Sequence, residues 1–352
     1  FNFDLEPQLL KLQTELIQQS YQPGKFSTHW INRPKRRMIS VAPYRDRVVH
    51  HALMNILEPI LEHHFHPHNF ACQKGKGTHA ASDRLQKMMQ RHAFALQCDI
   101  RKFFPSIDHT VMKQTFRRLI KDKHLLWLMD LIVDSSNAQP QNIQWFQGDD
   151  LFVPAERRKG LPIGNLTSQW FANWYLNGLD HFITSHLRIG AYVRYCDDFI
   201  LLDDTRGHLK ESLEAIQGFL EICRLKLHPN KLHIRPVKAG LTFVGYRTWP
   251  NHRILRKSNI RAFRRRLKQL RQAYSNGTIS WADIKPRLDS WMAHAHHADS
   301  RMLIRRLSRE MVFTRDRVID ISRASRGCVE QFNNQPAQCR AEQQQPEQSQ
   351  QQ

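Results

Sequence analysis

The stretch Ala191-Tyr-Val-Arg-Tyr-Cys-Asp-Asp-Phe-Ile-Leu-Leu202 consists of two short apolar runs joined by adjacent carboxylates, Asp197 and Asp198. Aromatic and β-branched residues on both sides predict strand, tight turn, strand, with the two aspartates at the tip. Two such carboxylates repel each other by roughly 4 kcal/mol at about 4 Å for an effective dielectric near 20, and a divalent cation relieves that repulsion. A bound metal is therefore implied. The alternative is a plain Asx turn between two strands.

A third carboxylate comes from upstream. Phe94-Ala-Leu-Gln-Cys98 is a second apolar strand ending in Asp99, followed by Ile100-Arg-Lys-Phe-Phe104 and by Asp108 at a predicted helix start. Two divalent ions about 4 Å apart need bridging oxygens from separate backbone segments, one ion activating an attacking hydroxyl and both neutralising a pentavalent phosphorus. Asp99 and Asp197 suit the bridging role. The expected ligand set is Asp99, Asp197 and Asp198 together with Ile100, which can offer only its main-chain carbonyl. Alternatively, Asp99 merely caps the next helix.

Composition limits what such a centre acts on. The chain has 352 residues, enough for two or three packed subdomains. Its 53 Lys and Arg against 32 Asp and Glu leave a formal charge of +21, which calls for a polyanionic partner. Nucleic acid is favoured over a membrane surface, because no run of eighteen apolar residues and no signal-peptide core is present and the mean hydropathy is −0.58. Cys72, Cys98, Cys196, Cys223, Cys328 and Cys339 form no C-x-x-C pair, so neither a zinc knuckle nor a disulfide framework is expected. That usage fits a reducing, cytoplasmic setting. The chain opens at Phe1 rather than Met, and further N-terminal sequence is expected ahead of it.

Between Glu221 and Asp283 there is no acidic residue, while fifteen Lys or Arg fall in the interval. Within it Ile260, Phe263, Leu267, Leu270 and Tyr274 recur at helical spacing, with Ser258 as the expected N-cap. Arg261, Arg264, Arg265, Lys268 and Arg271 fill the other faces, where a structural helix would interleave Glu. Phosphate contact by counterion release is the expected role, a solvated face the alternative. Residues 331–352 hold ten glutamines and almost nothing apolar, the composition of a disordered tail. A loop is expected over 134–159 around Trp145-Phe146. The histidines at 63, 64, 66 and 68 and at 294, 296 and 297 lack the cysteine or glutamate spacing of specific metal sites, and no metal is expected there.

These motifs together resemble reverse transcriptases. Asp99-x-x-x-x-Phe104, then Leu161-Pro-Ile-Gly164 leading to Ser168-Gln169, then Tyr195-Cys-Asp-Asp198 stand in the order of that family's palm motifs. Arg36-Arg37-Met-Ile-Ser40 and Tyr44-Arg-Asp-Arg-Val-Val-His-His-Ala52 resemble its fingers motifs. Leu225-Lys-Leu-His-Pro-Asn-Lys231 and Thr242-Phe-Val-Gly-Tyr246 resemble the blocks after the catalytic hairpin. The likeness covers about residues 5–310. It implies an α+β right-hand polymerase with fingers, a palm of antiparallel sheet backed by helices, and a helical thumb. The corresponding domains are 1–96 for the N-terminal segment and fingers, 97–250 for the palm with interleaved fingers elements, 251–327 for the thumb and 328–352 for the tail.

The resemblance also implies RNA-directed DNA synthesis with two Mg²⁺ ions, Mn²⁺ being a possible substitute. Template RNA, a DNA or RNA primer, cDNA product and dNTPs are the implied partners. Asp99, Asp197 and Asp198 match the catalytic triad. Arg37 matches a fingers arginine that grips the triphosphate, for which bidentate guanidinium geometry is suited. Phe104 matches the aromatic that blocks a ribose 2′-hydroxyl, and Lys231 a lysine proposed to protonate pyrophosphate. Gly160, Pro162 and Gly164 break the chain before a helix through Trp170, Phe171, Trp174, Leu179 and Phe182, so that backbone can approach the nascent base pair.

Most bacterial and retroviral members carry Gln before the glycine of the fourth motif and Pro after its serine; this chain has Ile163 and Gln169. Ile-Gly-Asn-Leu-Thr-Ser-Gln, Phe70-to-Ala80 and Ser290-to-Asp299 resemble the enzymes of diversity-generating retroelements, which misincorporate chiefly opposite template adenine. That likeness implies a small, basic, pentameric accessory variability protein as a partner. The alternative is a reverse transcriptase of a group II intron, retron or phage-defence system. A Gln at 163 would leave a polar group unpaired against a misaligned nucleotide, whereas Ile163 offers only nonpolar surface, so discrimination is expected to weaken. Alternatively, Ile163 is simply core.

Overall fold

The computed structural model describes residues 4–32, 36–137 and 143–315. The predicted Gln-rich tail lies outside the described residues. Helix α1 (Leu5–Ile17) is followed by an antiparallel pair, β1 (Ser27–Ile31) and β2 (Arg37–Val41), and by α2 (Tyr44–His64) and α3 (Thr78–Met89). Next come β3 (Phe94–Asp99), α4 (Phe103–Ser106), α5 (His109–Leu119), α6 (Lys123–Asp134), α7 (Val153–Glu156), α8 (Leu166–Tyr175) and α9 (Asn177–His181). The hairpin strands β4 (Tyr192–Tyr195) and β5 (Asp198–Asp203), then α10 (Arg206–Ile222) and β6 (His233–Pro236), complete the central unit.

The central sheet has the order β4-β5-β3-β6 and every pairing is antiparallel. Its apolar runs are nearly continuous because both faces are covered. Leu96, Cys98, Phe199 and Leu201 pack with α2, α5, α8 and α10, whereas Ala95, Ile200 and Leu202 pack with α3 and the strand at 241–243. Each fully buried Leu, Ile or Phe in these layers contributes about 1.5–3 kcal/mol of transfer free energy. The period-2 alternation then puts Gln97, Asp99 and Asp198 on one face, that of α3.

Downstream, β7 (Leu241–Phe243), β8 (Tyr246–Thr248) and β9 (Arg253–Leu255) form a second sheet. The β7–β8 turn has positive φ at both Val244 (41°) and Gly245 (95°), matching the right-handed twist of a tight hairpin. A Cβ on Gly245 would lie 3.3 Å from the His294 ring, so the glycine lets the hairpin approach the last helices closely.

Those helices are α11 (Lys257–Ser275), α12 (Trp281–His296) and α13 (Arg301–Ser308). Phe263, Leu267 and Leu270 form the predicted stripe, packed on Ile284, Leu288 and Leu307, and Phe263 stacks on Trp291 with centroids 3.7 Å apart. The expected cap needs correction. The N-cap is Arg256, and Ser258 lies inside the first turn, because the chain leaves β9 directly into the helix.

Two further expectations change. The predicted helix through Phe182 is α8, a break at Leu176, α9, and a wider turn over Phe182–His186. Asn177 at the break accepts from the His66 N–H (2.9 Å) and donates to the His64 carbonyl (3.3 Å), ties that a straight helix would not allow. Among its described residues the expected loop over 134–159 contains the one-turn helix α7, and Asp150 Oδ1 just ahead of it accepts from Val153 N–H (2.9 Å).

Candidate active site

Cross-strand register builds the site. Asp99 at the end of β3 is directly opposite Asp198 at the start of β5, and Asp197 occupies the β4–β5 turn. Directly opposed residues carry Cβ atoms about 4.5–5.5 Å apart. The Ile100 N–H donates to the Asp197 carbonyl (3.1 Å), joining the two segments past the end of the sheet. Asp99 caps no helix, since the N-cap of α4 is Lys102. Asp198 is the first residue of β5 rather than a tip residue, and Cys196 takes the left-handed conformation (φ 55°) that closes the turn.

Proton affinities register the crowding. Burial, followed by the charge on Asp99, raises the Asp197 carboxyl above its usual range. Burial and the charges on Asp99 and Asp197 push Asp198 up to about 7, against a lowering hydrogen bond from Gln97. Among the described residues no group of three His, Cys, Asp or Glu is already gathered around one point as a chelate. The carboxylates are engaged by the protein instead. Lys231 Nζ forms a salt bridge with Asp99 Oδ2, and Gln97 Nε2 lies 3.4 Å from Asp198 Oδ1. Asp99, Asp197 and Asp198 offer only hard oxygen donors, the donor chemistry that suits Mg²⁺ or Mn²⁺, and Lys231 brings a positive charge to one of them.

The predicted nucleotide-site residues fall around this point unevenly. Arg37 opens β2, is exposed, and lies close enough for its charge to lower the Asp197 proton affinity. Phe104 is half-buried against the main core, and its carbonyl accepts from Leu161 N–H (2.9 Å), tying it to the segment before Ile163. Ile163 is half-buried, neither wholly core nor open surface, and its carbonyl accepts from Ser40 N–H (2.9 Å). Gly164 has φ +119°, and a Cβ there would lie 3.0 Å from Ile39 Cγ2 and 3.2 Å from the Ser40 carbonyl oxygen. The β1–β2 pair therefore rests on a backbone that only glycine allows. Gln169 is exposed on α8 and accepts from Cys72 Sγ (3.7 Å).

Arg261, Arg265, Lys268 and Arg271 are exposed on α11. Arg264, expected to be unpaired, instead bonds Glu310 (3.2 Å), because an acid beyond α13 supplies the partner that α11 lacks. The histidines have structural partners: His66 bonds Thr184 Oγ1 (3.1 Å), and His79 stacks on His297 with centroids 4.1 Å apart.

One set of residues was missed from the sequence. Arg194, fully buried in β4, donates to Asp180 Oδ1 (2.6 Å) and Oδ2 (2.5 Å), to Asn173 Oδ1 (3.1 Å) and to the Cys196 carbonyl (3.1 Å). Burial opposes its charge, but Asp180 prevails and holds the guanidinium protonated. The network joins α8, α9 and β4 to the turn carrying Asp197. An arginine at the centre of an otherwise apolar strand was the available signal, since it requires a buried acid.

A right-handed polymerase palm carrying an acidic hairpin is the class that fold and site define. The family model described as reverse transcriptase (RNA-dependent DNA polymerase) matches residues 27–248, and the chain belongs to that family. It is 23% identical over 293 residues to protein YkfC of Escherichia coli, covering 72% of each chain. It is 24% identical over 87 residues to the mitochondrial nuclear intron maturase 1 of Arabidopsis thaliana, covering 25% of this chain and 12% of that one. Telomerase from Candida tropicalis, solved in complex with a TWJ fragment of telomeric RNA, shares the fold with a TM-score of 0.52 at 12% identity. That match covers 87% of this chain and 59% of the telomerase chain. Among the described residues no helix is long and apolar enough to cross a membrane.

Proposed function

We propose that this reverse transcriptase synthesises cDNA from a template-repeat RNA at the Asp99–Asp197–Asp198 centre, and that it serves a diversity-generating retroelement with errors concentrated opposite adenine. The observation that carries the polymerase site is the direct pairing of Asp99 with Asp198 beside the Asp197 turn. Two Mg²⁺ ions held by these carboxylates and the Ile100 carbonyl would activate the primer 3′-hydroxyl and neutralise charge developing on the transferred phosphoryl group. Lys231 holds a proton at Nζ beside Asp99, where it can pass to departing pyrophosphate. Arg37 grips the triphosphate, Phe104 excludes a 2′-hydroxyl, and Ile163, Gly164 and Gln169 frame the nascent base pair. Arg261, Arg264, Arg265, Lys268 and Arg271 bind the template–primer backbone. The proposed domains are 97–250 for the palm and 251–327 for the thumb, and a basic pentameric accessory protein is the proposed partner.

The adenine bias rests on Ile163. Its side chain is half-exposed and carries no hydrogen-bonding group, so a displaced base meets no desolvation penalty there. Ile163→Gln is expected to lower misincorporation opposite template adenine about tenfold, on the basis of roughly 1–3 kcal/mol for an unsatisfied polar group. The readout is sequencing of cDNA made on a defined RNA, and an unchanged error frequency defeats this explanation. The maturase likeness supports a second reading, a group II intron type, for which cDNA errors would show no concentration at adenine.

A further inference from the structure

At the end of the central sheet opposite the carboxylates lies a cleft of about 700 Å³, lined by Arg84, Lys87, Arg91, His92, Gly190 and Ala191. The six residues of β3 separate it from Asp99 by about 17 Å. Arg84, Lys87 and Arg91 recur at spacings of three and four along and just beyond α3, so they share one helix face. Lys87 and Arg91 are exposed and have no ion pair among the described residues. Arg84 Nη2 donates to the Gly190 carbonyl (3.2 Å) and meets His68 Nε2 (3.1 Å), but its buried Nε–H has no partner. Burial and the charge on Arg91 lower its proton affinity, as expected for two cations crowded without a counterion.

Of the acids near this helix, one sits at the His92 rim of the cleft and the other is paired away from it. Asp204 accepts from Ala93 N–H (3.1 Å) and approaches His92 Nδ1 (3.4 Å), and Asp83 faces Arg253 and His297. The cleft thus presents three cations over about 10 Å of helix rise, the interval along which one nucleic-acid strand carries about three phosphates.

We propose that this cleft is a second RNA-backbone site, which holds single-stranded RNA outside the template–primer duplex. It rests on the chain being a reverse transcriptase and is independent of the retroelement reading. The cleft anchors the transcript while the catalytic end of the sheet works on another part of it, so affinity for long RNA exceeds affinity for the hybrid alone.

The test is binding of the full chain to two probes at several salt concentrations: a blunt RNA–DNA hybrid, and the same hybrid with a single-stranded poly(U) extension of about 30 nucleotides, about 100 Å when stacked. In the Lys87→Gln/Arg91→Gln variant two contacts are lost. For the extended probe the log–log salt slope is expected to fall by about 1.4 and affinity at 0.1 M salt by about 25-fold. The blunt hybrid is expected to bind unchanged, and extension of a recessed DNA primer on an RNA template with only a short 5′ overhang to proceed at the normal rate. Equal binding of the extended probe by both proteins overturns the proposal. Equal weakening of both probes also overturns it, as does selective loss of poly-aspartate binding, which would assign the cleft to an acidic protein.

Discussion

Replacing Arg194 with Met removes a buried cation that organises the catalytic turn. Asp180, itself wholly buried, keeps only the Tyr192 hydroxyl (2.7 Å) as a side-chain partner. Breaking a buried pair by deleting one member costs about 3–5 kcal/mol, a large part of the roughly 5–15 kcal/mol that holds a domain folded. Adding Asp180→Asn discharges the stranded acid while keeping an acceptor for Tyr192, so the double variant should recover most of that loss in urea denaturation. Activity should not recover with it. The Cys196 carbonyl has lost a charged donor worth about 1.5–3 kcal/mol, and the left-handed turn carrying Asp197 is then free to shift. Loss of that whole energy from the transition state lowers kcat about ten- to a hundredfold, at tenfold per roughly 1.4 kcal/mol. Steady-state primer extension measures it, with KM for dNTP expected to change much less. A double variant that folds and polymerises at the wild-type rate refutes the positioning role, and a single variant that loses less than about 1 kcal/mol refutes the pairing energetics.

Two other outcomes follow from the site. The Asp198 carboxyl, pushed up to about 7, keeps a proton at pH values where an unfolded aspartate, near 4, has lost it. Mg²⁺ must displace that proton, so Mg²⁺ affinity by calorimetry should rise with pH between about 4 and 7, with proton release, and level off above; a flat profile contradicts the shift. The metal-free protein should lose stability across the same window as pH rises, because there the native state binds more protons than the unfolded chain. Gly164→Ala forces a Cβ to 3.0 Å from Ile39 Cγ2 at a φ of +119°, and should cost about 1–3 kcal/mol and raise KM for dNTP. A variant with unaltered melting and KM would show that β2 does not depend on that contact.

Strands β3, β4 and β5 and the basic amphipathic helix were legible because each depends on local period: near-continuous apolar runs for strands covered on both faces, and a 3–4 repeat for α11. The edge strand β6, short and mostly exposed, left no such run. The three carboxylates were legible because strand ends and turns leave short polar signatures. What escaped depended on partners distant in sequence. Glu310 neutralises Arg264 from beyond α13, 46 residues away. Asn177 breaks α8 from α9 by bonding His66, 111 residues earlier. Arg194 was visible as an anomaly, but its acceptors on α8 and α9 emerge only when those helices pack under the hairpin. The Ser258 cap failed for a different reason: a good capping residue was present, but the preceding strand had already set where the helix begins.

The proposed chemistry stands on an acidic triad that joins two strands, and the most direct measurement is Mg²⁺-dependent primer extension on an RNA template by the wild-type chain and by Asp197→Asn. The substitution keeps the shape of the turn and removes the charge. The wild type is expected to extend the primer, and the variant to fold normally, bind the hybrid with similar affinity and extend it at least about a thousandfold more slowly, a loss of roughly 4 kcal/mol in the transition state. Extension by Asp197→Asn at the wild-type rate would contradict the assignment of chemistry to this centre.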